Sequence, residues 1–407
     1  MDERWHPLLE GETADRARAA IAEIAASTAG ASVESDEPWS LSGGAGGAAV
    51  FYAYLAVHDG RSEHRVTAGK LLDAAVSEMR GRDPSLYGGV AGVAWALEHL
   101  EPGRGRGAAF DPALRDLLAR GTWRGSYDLI MGLVGLGVYA LERLPDPTAR
   151  ECLELVVERL TELAEAVPGG VSWRTPARLL PPPQAAELPD GYYNLGLAHG
   201  VPAVVVLLAS ALSAGVAGGE TRRLLAEAVA WLLAQRLPDG GRSCFPSFVA
   251  PGHPPDPART AWCYGDPGIA VALLLAARAT GSPEWEADAL DLARVAASRD
   301  QDEAQVRDAG LCHGAAGLGH LFNRIHQATG DAVLGDAARA WLELALDMRD
   351  PDRGVAGFPA LIPDQEGPRW VADPGLLMGS TGVGLAFLAA TGAVEPAWDR
   401  ILMLSLR

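Results

Sequence analysis

The chain holds 407 residues, with 52 acidic side chains against 34 basic ones and a formal net charge of -18. A surface this acidic repels phosphate backbones and argues against nucleic acid as a partner. Four cysteines without a CxxC spacing are too few for a disulfide framework, and 48% hydrophobic content with only 6% aromatic residues suits close-packed Ala- and Leu-rich helices better than a β-sandwich.

From the N-terminus, the run MDERWHPLLEGE places acids where a secretory signal needs basic and then apolar residues. An amphipathic helix is expected over 13–27, after which the turn Gly44-Ala-Gly-Gly47 opens an apolar stretch. The same pairing returns along the chain. Charged helical stretches are expected at 64–80, 147–165, 219–236, 283–298 and 331–347. In 147–165 the residues Leu153, Val156, Val157, Leu160 and Leu163 recur at helical spacing. The glycine turns continue as Gly89-Val-Ala-Gly92, Gly132-Leu-Val-Gly135, Gly200-Val-Pro-Ala203, Gly265-Asp-Pro-Gly268, Gly314-Ala-Ala-Gly317 and Gly379-Ser-Thr-Gly382.

Successive first glycines lie 45, 43, 68, 65, 49 and 65 residues apart, a period near 45 with three insertions. The stretches after the turns, such as VVVLLASAL and IAVALLLAA, are apolar on every side, as buried helices are. One amphipathic and one buried helix per repeat, seven times over, implies an all-α fold. The expectation is an (α/α)7 barrel, or toroid, of seven outer and seven inner helices, with residues 1–407 as a single domain. The insertions at 167–195, with Pro181-Pro182-Pro183, at 237–261 and at 348–376 are expected as loops lining the barrel mouth. No apolar run has the length and flanks of a transmembrane segment, so the protein is expected to be soluble and cytoplasmic.

In such a barrel all inner helices begin at one end, and adjacent helices pack about 8–10 Å apart. The turns of repeats three to six carry Tyr127-Asp128, His199, Cys263 and Cys312-His313, which should therefore be neighbours. Cys263, Cys312 and His313 make a three-ligand set for one Zn2+ with a fourth position open, the pattern of a catalytic site. Cys312 and His313 could not both face one ion from a regular helix, but they can from the turn before it. His199 is a candidate acid/base group; Asp128 reads either as a site residue or as an N-cap. Cys152 and Cys244 read as small core residues, and His6, His58, His64, His99, His253, His320 and His326 as surface or packing histidines. Two thiolates and a neutral imidazole cancel the charge of Zn2+. That favours activation of a substrate thiol over activation of water.

The series YD, HG, WCYGxPG and CHGxxG, here Tyr127-Asp128, His199-Gly200, Trp262 to Gly268 and Cys312 to Gly317, resembles the lanthipeptide cyclase family of LanC type. The resemblance runs from the Gly43-Gly44 turn to the Gly379-Ser-Thr-Gly382 turn. It implies an α/α toroid with one zinc that forms lanthionine and methyllanthionine rings, by adding precursor-peptide cysteines to dehydroalanine or dehydrobutyrine. It places the zinc ligands on Cys263, Cys312 and His313, and the other site residues on Asp128, His199, Arg259 and Tyr264. The implied partners are a dehydrated precursor peptide, leader plus core, with a dehydratase and a transporter as further candidates. A peripheral place in a membrane-associated biosynthetic complex stays open.

Conjugate addition creates an enolate that must be stabilised and then protonated at Cα. His199 is the natural proton donor, Asp128 would orient it, and Arg259 and Tyr264 would offset charge on the enolate oxygen. Three other readings stay open. One is a zinc-dependent thiol alkyltransferase similar to protein prenyltransferases, disfavoured by the few aromatic residues available to line a lipid pocket. The others are a non-catalytic LanC-like thiol- or peptide-binding protein, and a purely structural zinc.

Overall fold

Helix, glycine turn and apolar helix alternate along the whole chain. The computed structural model describes residues 5–29, 37–216, 218–238, 241–363 and 367–406. Residues 1–4 of the N-terminal run, and 239, 240 and 364–366 within two of the expected insertions, lie outside the described residues. Among the described residues the helices of eight or more residues fall into seven pairs, the first of each amphipathic and the second apolar. They are α1 (Gly11–Thr28) with α2 (Ala45–Asp59), α3 (Ser62–Glu78) with α4 (Val90–Leu100), and α5 (Asp111–Leu118) with α6 (Leu133–Glu142). The series continues with α7 (Pro147–Leu163) and α8 (Val201–Ser213), then α9 (Gly219–Leu233) and α10 (Asp266–Thr280). It ends with α11 (Pro283–Ala297) and α12 (Ala315–Thr329), then α13 (Ala332–Asp347) and α14 (Ser380–Thr391). The eight-residue α5, absent from the charged stretches named above, fills the third pair.

Burial follows the pattern of the sequence. In α1 the buried stripe runs Ala14, Ala17, Ile21, Ile24 and Thr28, at the spacing of one helix face. In α14 every residue from Ser380 to Thr391 is buried.

The two kinds of helix also start differently. Side chains cap α7, α11 and α13: Asp146 accepts from the backbone of Thr148 and Ala149, Ser282 from Trp285, and Asp331 from Val333 and Leu334. The apolar helices α2, α4, α6, α12 and α14 start after a glycine with no side-chain cap, and their first N–H turns back to a carbonyl of the preceding turn. Ala45 N donates to Pro38 O at 2.8 Å, Val90 N to Asp83 O at 2.9 Å, Leu133 N to Ser126 O at 3.2 Å, Ala315 N to Asp308 O at 2.9 Å and Ser380 N to Asp373 O at 3.0 Å. The turn folds so tightly over the helix that a Cβ on Gly317 would run into the Leu311 carbonyl.

The chain divides into two compact units. One comprises Met1–Asp83, Tyr87–Arg104 and Asp300–Arg407; the other comprises Pro84–Leu86 and Gly105–Arg299. In the first, α12 packs on α14, α14 on α2, and α2 on α4. Its turns are tied backbone to backbone: Cys312 N donates to Leu377 O, Leu376 N and Leu377 N to Ser42 O, and Leu41 N and Ser42 N to Tyr87 O. In the second unit α6 packs on α8 and α8 on α10. There Leu129 N donates to Ala198 O and Ala198 N to Cys263 O. Each unit thus holds its glycine turns side by side with hydrogen bonds that no side-chain pattern announces.

The insertions are not bare loops. Tyr192–Asn194 pairs antiparallel with Arg174–Thr175 on one side and Phe248–Val249 on the other, so the first two insertions share a three-stranded sheet. Hairpins join Glu165–Val167 to Gly170–Ser172 and Ala360–Ile362 to Arg369–Val371. Along Tyr192–Asn194 the two-residue alternation buries Tyr192 and Asn194 and leaves Tyr193 half-buried. Leu188, Tyr192 and Ala250 pack with Leu180 and Phe248 beneath this sheet. Among the described residues no helix is long and apolar enough to cross a membrane.

Candidate metal centre and adjoining acid-base site

Cys263 lies in the turn that opens α10, and Cys312 and His313 in the turn that opens α12. Because this turn precedes the helix, the adjacent side chains of Cys312 and His313 are free to converge. One ligand atom from each of Cys263, Cys312 and His313 falls within 4.8 Å of the other two. Zinc–sulfur bonds of about 2.3 Å and zinc–nitrogen bonds of about 2.0 Å would set tetrahedral ligands roughly 3.5–3.8 Å apart. The donor set fits one such ion with modest closure, and no disulfide joins the two cysteines. Cys263 and the His313 ring are largely buried, and Cys312 is half-buried.

The second nitrogen of His313 is oriented by its own surroundings. Nε2 lies 3.4 Å from the Leu361 carbonyl and 3.8 Å from Asp308 Oδ2. Asp308, 2% exposed, also accepts from Gly310 N at 3.2 Å and Leu361 N at 2.9 Å. A carbonyl or carboxylate partner on one ring nitrogen is what orients many ligating histidines.

His199 and Asp128 form a direct pair, Nδ1 to Oδ2, at 2.7 Å. The other Asp128 oxygen accepts from Met131 N, also at 2.7 Å. One carboxylate oxygen thus ties the turn before α6 and the other holds His199; the N-cap of α6 is Gly132, so the helix-cap reading of Asp128 does not hold. Asp128 is buried while the His199 side chain is 41% exposed, so the ring is anchored at Nδ1 and reaches outward. Burial acts to lower the pKa of His199; the Asp128 hydrogen bond, the Asp128 charge and Cys263 act the other way and prevail, so it titrates above the ordinary histidine value.

Tyr264, next to Cys263, is half-buried, and its hydroxyl accepts from Asn194 Nδ2 at 2.9 Å. Burial pushes this phenol upward, with Tyr192, Cys263 and Asp128 adding to the shift. Arg259 is exposed, and no ion pair holds it among the described residues. It shares the α10 turn, where Gly265 has φ +89 and a Cβ would strike the Arg259 carbonyl, so the turn needs glycine there.

Residues read as structural occupy structural places. Cys152 is in the core, its thiol pushed up to about 12 by burial; Cys244, expected in the core, is instead half-buried, because its turn is held by the polar pair Asp266 and Arg299. His320 bonds Asp399 at 2.7 Å, His99 bonds Tyr54, and His326 bonds the Asp331 carbonyl.

With this geometry in hand, the family described as lanthionine synthetase C-like protein matches residues 35–403. The chain belongs to the lanthionine synthetase C-like family. Among solved structures it is similar to nisin cyclase, with 19% identity, a TM-score of 0.78, and 96% of this chain and 97% of that one covered. That likeness shows the fold, the all-α (α/α)7 toroid expected from the repeat. A glycosyl hydrolase family 88 protein from Bacteroides vulgatus aligns over 93% of the chain at 14% identity, but its TM-score of 0.41 is too low to bear on this protein.

For this family member, sequence reading passed over Asn194 and Asp308. A signal for both exists in the repeat itself. The position six residues before each first turn glycine holds Pro38, Asp83, Ser126, Asn194, Arg259, Asp308 and Asp373. Four of these side chains cap a backbone N–H two residues on: Ser126 Oγ takes Asp128 N, Asn194 Oδ1 takes Gly196 N, Asp308 Oδ1 takes Gly310 N and Asp373 Oδ1 takes Gly375 N. In the fifth repeat this turn-forming position is Arg259, a residue with no acceptor for the task.

Proposed function

We propose that this LanC-like protein is a zinc-dependent lanthipeptide cyclase, with residues 1–407 acting as one catalytic domain. Its substrate is a dehydrated precursor peptide, and its reaction is intramolecular addition of a cysteine thiol to dehydroalanine or dehydrobutyrine. The observation that carries the reading is the convergence of Cys263, Cys312 and His313 in a family member with this fold.

Cys263 Sγ, Cys312 Sγ and a ring nitrogen of His313 would hold one Zn2+, which supplies a thiol kept deprotonated yet nucleophilic at neutral pH. In the reaction a C–S bond forms at Cβ of the dehydro residue while its C=C π pair moves toward the carbonyl oxygen as an enolate. The electron pair returns to Cα, which takes a proton. The proton lost by the thiol equals the one gained at Cα, so the atoms balance without a co-reactant.

His199 is positioned for the proton. Asp128 holds Nδ1 and supports the charged ring, so Nε2 is the nitrogen that delivers to Cα. Tyr264 and Arg259 offset the charge on the enolate oxygen, Tyr264 as a neutral donor and Arg259 as an exposed cation that a docking peptide would cover. A dehydratase and a transporter are candidate partners, and a cytoplasmic setting with peripheral membrane association suits such a complex.

The test is a dehydrated Ser/Thr/Cys peptide incubated with the zinc-loaded protein, quenched with a thiol-alkylating reagent and weighed by mass spectrometry. Cyclisation removes free thiols without changing peptide mass, so the number of added alkyl groups falls with time. Unchanged alkylation by protein that holds one zinc per chain would reject the cyclase. Consumption of prenyl diphosphate instead would favour the alkyltransferase.

A further inference from the structure

Asn194 does two jobs at once, and only one belongs to the turn. Its side-chain oxygen accepts from Gly196 N at 2.8 Å. A backbone N–H can only donate, so the amide atom facing Gly196 must be the oxygen, and the NH2 group must face the other way. That group donates to Tyr264 OH at 2.9 Å and to Tyr192 OH at 3.3 Å. Asn194 is 1% exposed, and the strand Tyr192–Asn194 holds it from both sides through its pairing with Arg174–Thr175 and Phe248–Val249. Its amide has no freedom to flip.

The consequence falls on Tyr264. Its oxygen accepts a hydrogen bond from a group that cannot accept one in return at that atom. The phenolic proton must therefore point elsewhere, and no acceptor takes it among the described residues. The choice of asparagine fits this second job. The same turn is capped by Ser126, Asp308 and Asp373 in other repeats, so serine and aspartate satisfy the backbone equally well. Neither can donate an N–H to a neighbouring hydroxyl.

We propose that Asn194 is a positioning residue that fixes Tyr264 as a one-way hydrogen-bond donor toward the reacting peptide. The proposal rests on the cyclase reading above and deepens it, since an enolate oxygen needs donors and gains nothing from a hydroxyl that presents its lone pairs.

Asn194→Asp tests it with the turn kept. A carboxylate oxygen still takes Gly196 N–H, while the oxygen replacing Nδ2 accepts the Tyr264 proton and withdraws it from the substrate. Cyclisation of the dehydrated peptide should slow about 10²-fold in kcat, as for removal of one such donor, with KM and zinc content unchanged. Tyr264→Phe should show a similar loss, and adding Asn194→Asp to Tyr264→Phe should cost less than about 2-fold more, because the two act through one hydroxyl. Asn194→Ser, which copies the turn of Ser126 but cannot reach Tyr264, serves as second variant if the aspartate destabilises the fold; it should lose rate only in the presence of Tyr264. Tyr192→Phe should leave the rate near wild type.

An Asn194→Asp or Asn194→Ser protein with wild-type kcat overturns the inference. So does an equal loss in the Tyr264→Phe background, or a Tyr264→Phe protein with full activity. Failure of the wild-type zinc-loaded protein to cyclise would instead reject the cyclase reading itself.

Discussion

Replacing Asp128 with asparagine removes the charge beside His199 and leaves the size of the side chain unchanged. In the wild type, Asp128 Oδ2 lies 2.7 Å from Nδ1, and the free-energy value of such a bond to a charged partner is about 1.5–3 kcal/mol. The His199 side chain is 41% exposed, and solvent screening puts the effect near the lower end, about 1.5–2 kcal/mol. At about 1.4 kcal/mol per decade, kcat should fall roughly 10- to 30-fold at neutral pH. The sign of the pH effect follows from the raised pKa of His199. The imidazolium form is fully present below its pKa and is lost as pH rises through it. Asp128→Asn lowers that pKa, so the alkaline limb of the kcat profile should move to lower pH. Mass-spectrometric cyclisation rates across the neutral range, with zinc content measured in parallel, would reveal both effects. A normal rate, or a reduced rate with an unmoved alkaline limb, would refute the role given to the pair.

Other changes should separate metal, proton and scaffold. Cys312→Ala should lose its zinc on purification, read by elemental analysis; full zinc content would reject the ligand assignment. His199→Asn should keep zinc and lose most cyclisation, and wild-type turnover would remove His199 from the reaction. Gly317→Ala should cost about 1–3 kcal/mol in urea unfolding, because the added Cβ meets the Leu311 carbonyl and the turn has no flexible side chain to move aside; an unchanged midpoint would contradict that packing. Burial lowers the pKa of His320 although Asp399 opposes it, so the folded state holds a neutral ring that the unfolded state protonates. Stability should therefore decline as pH falls below the ordinary histidine value of about 6.5, and His320→Gln should flatten that part of the profile.

The repeat was legible because glycine turns and all-round apolar helices are local signals of fixed order. The seven pairs follow from them, as does the gathering of Cys263 with Cys312 and His313. The short strands were not legible. Tyr192–Asn194 gains its partners from residues far along the chain, and two- or three-residue strands carry no periodicity of their own. The turn-to-turn hydrogen bonds escaped for a related reason, since they join backbone atoms irrespective of side chain. Asn194 and Asp308 look like ordinary turn formers in one dimension. Their second contacts, to Tyr264 and beside His313, exist only once separate turns are folded together. Asp128 reads as a helix cap from its place before an apolar helix, but the cap position falls to Gly132, and the Asp128 oxygens divide between a turn N–H and the ring of His199.

The most direct measurement compares thiol consumption in a dehydrated precursor peptide by zinc-loaded protein, by the same protein after chelation, and by Cys263→Ala. Loss of alkylatable thiols at constant peptide mass is expected only with the loaded wild type, and restoring zinc should rescue the chelated protein but not the variant. Equal ring formation after metal removal, or by Cys263→Ala, would contradict a cyclase built on these three residues.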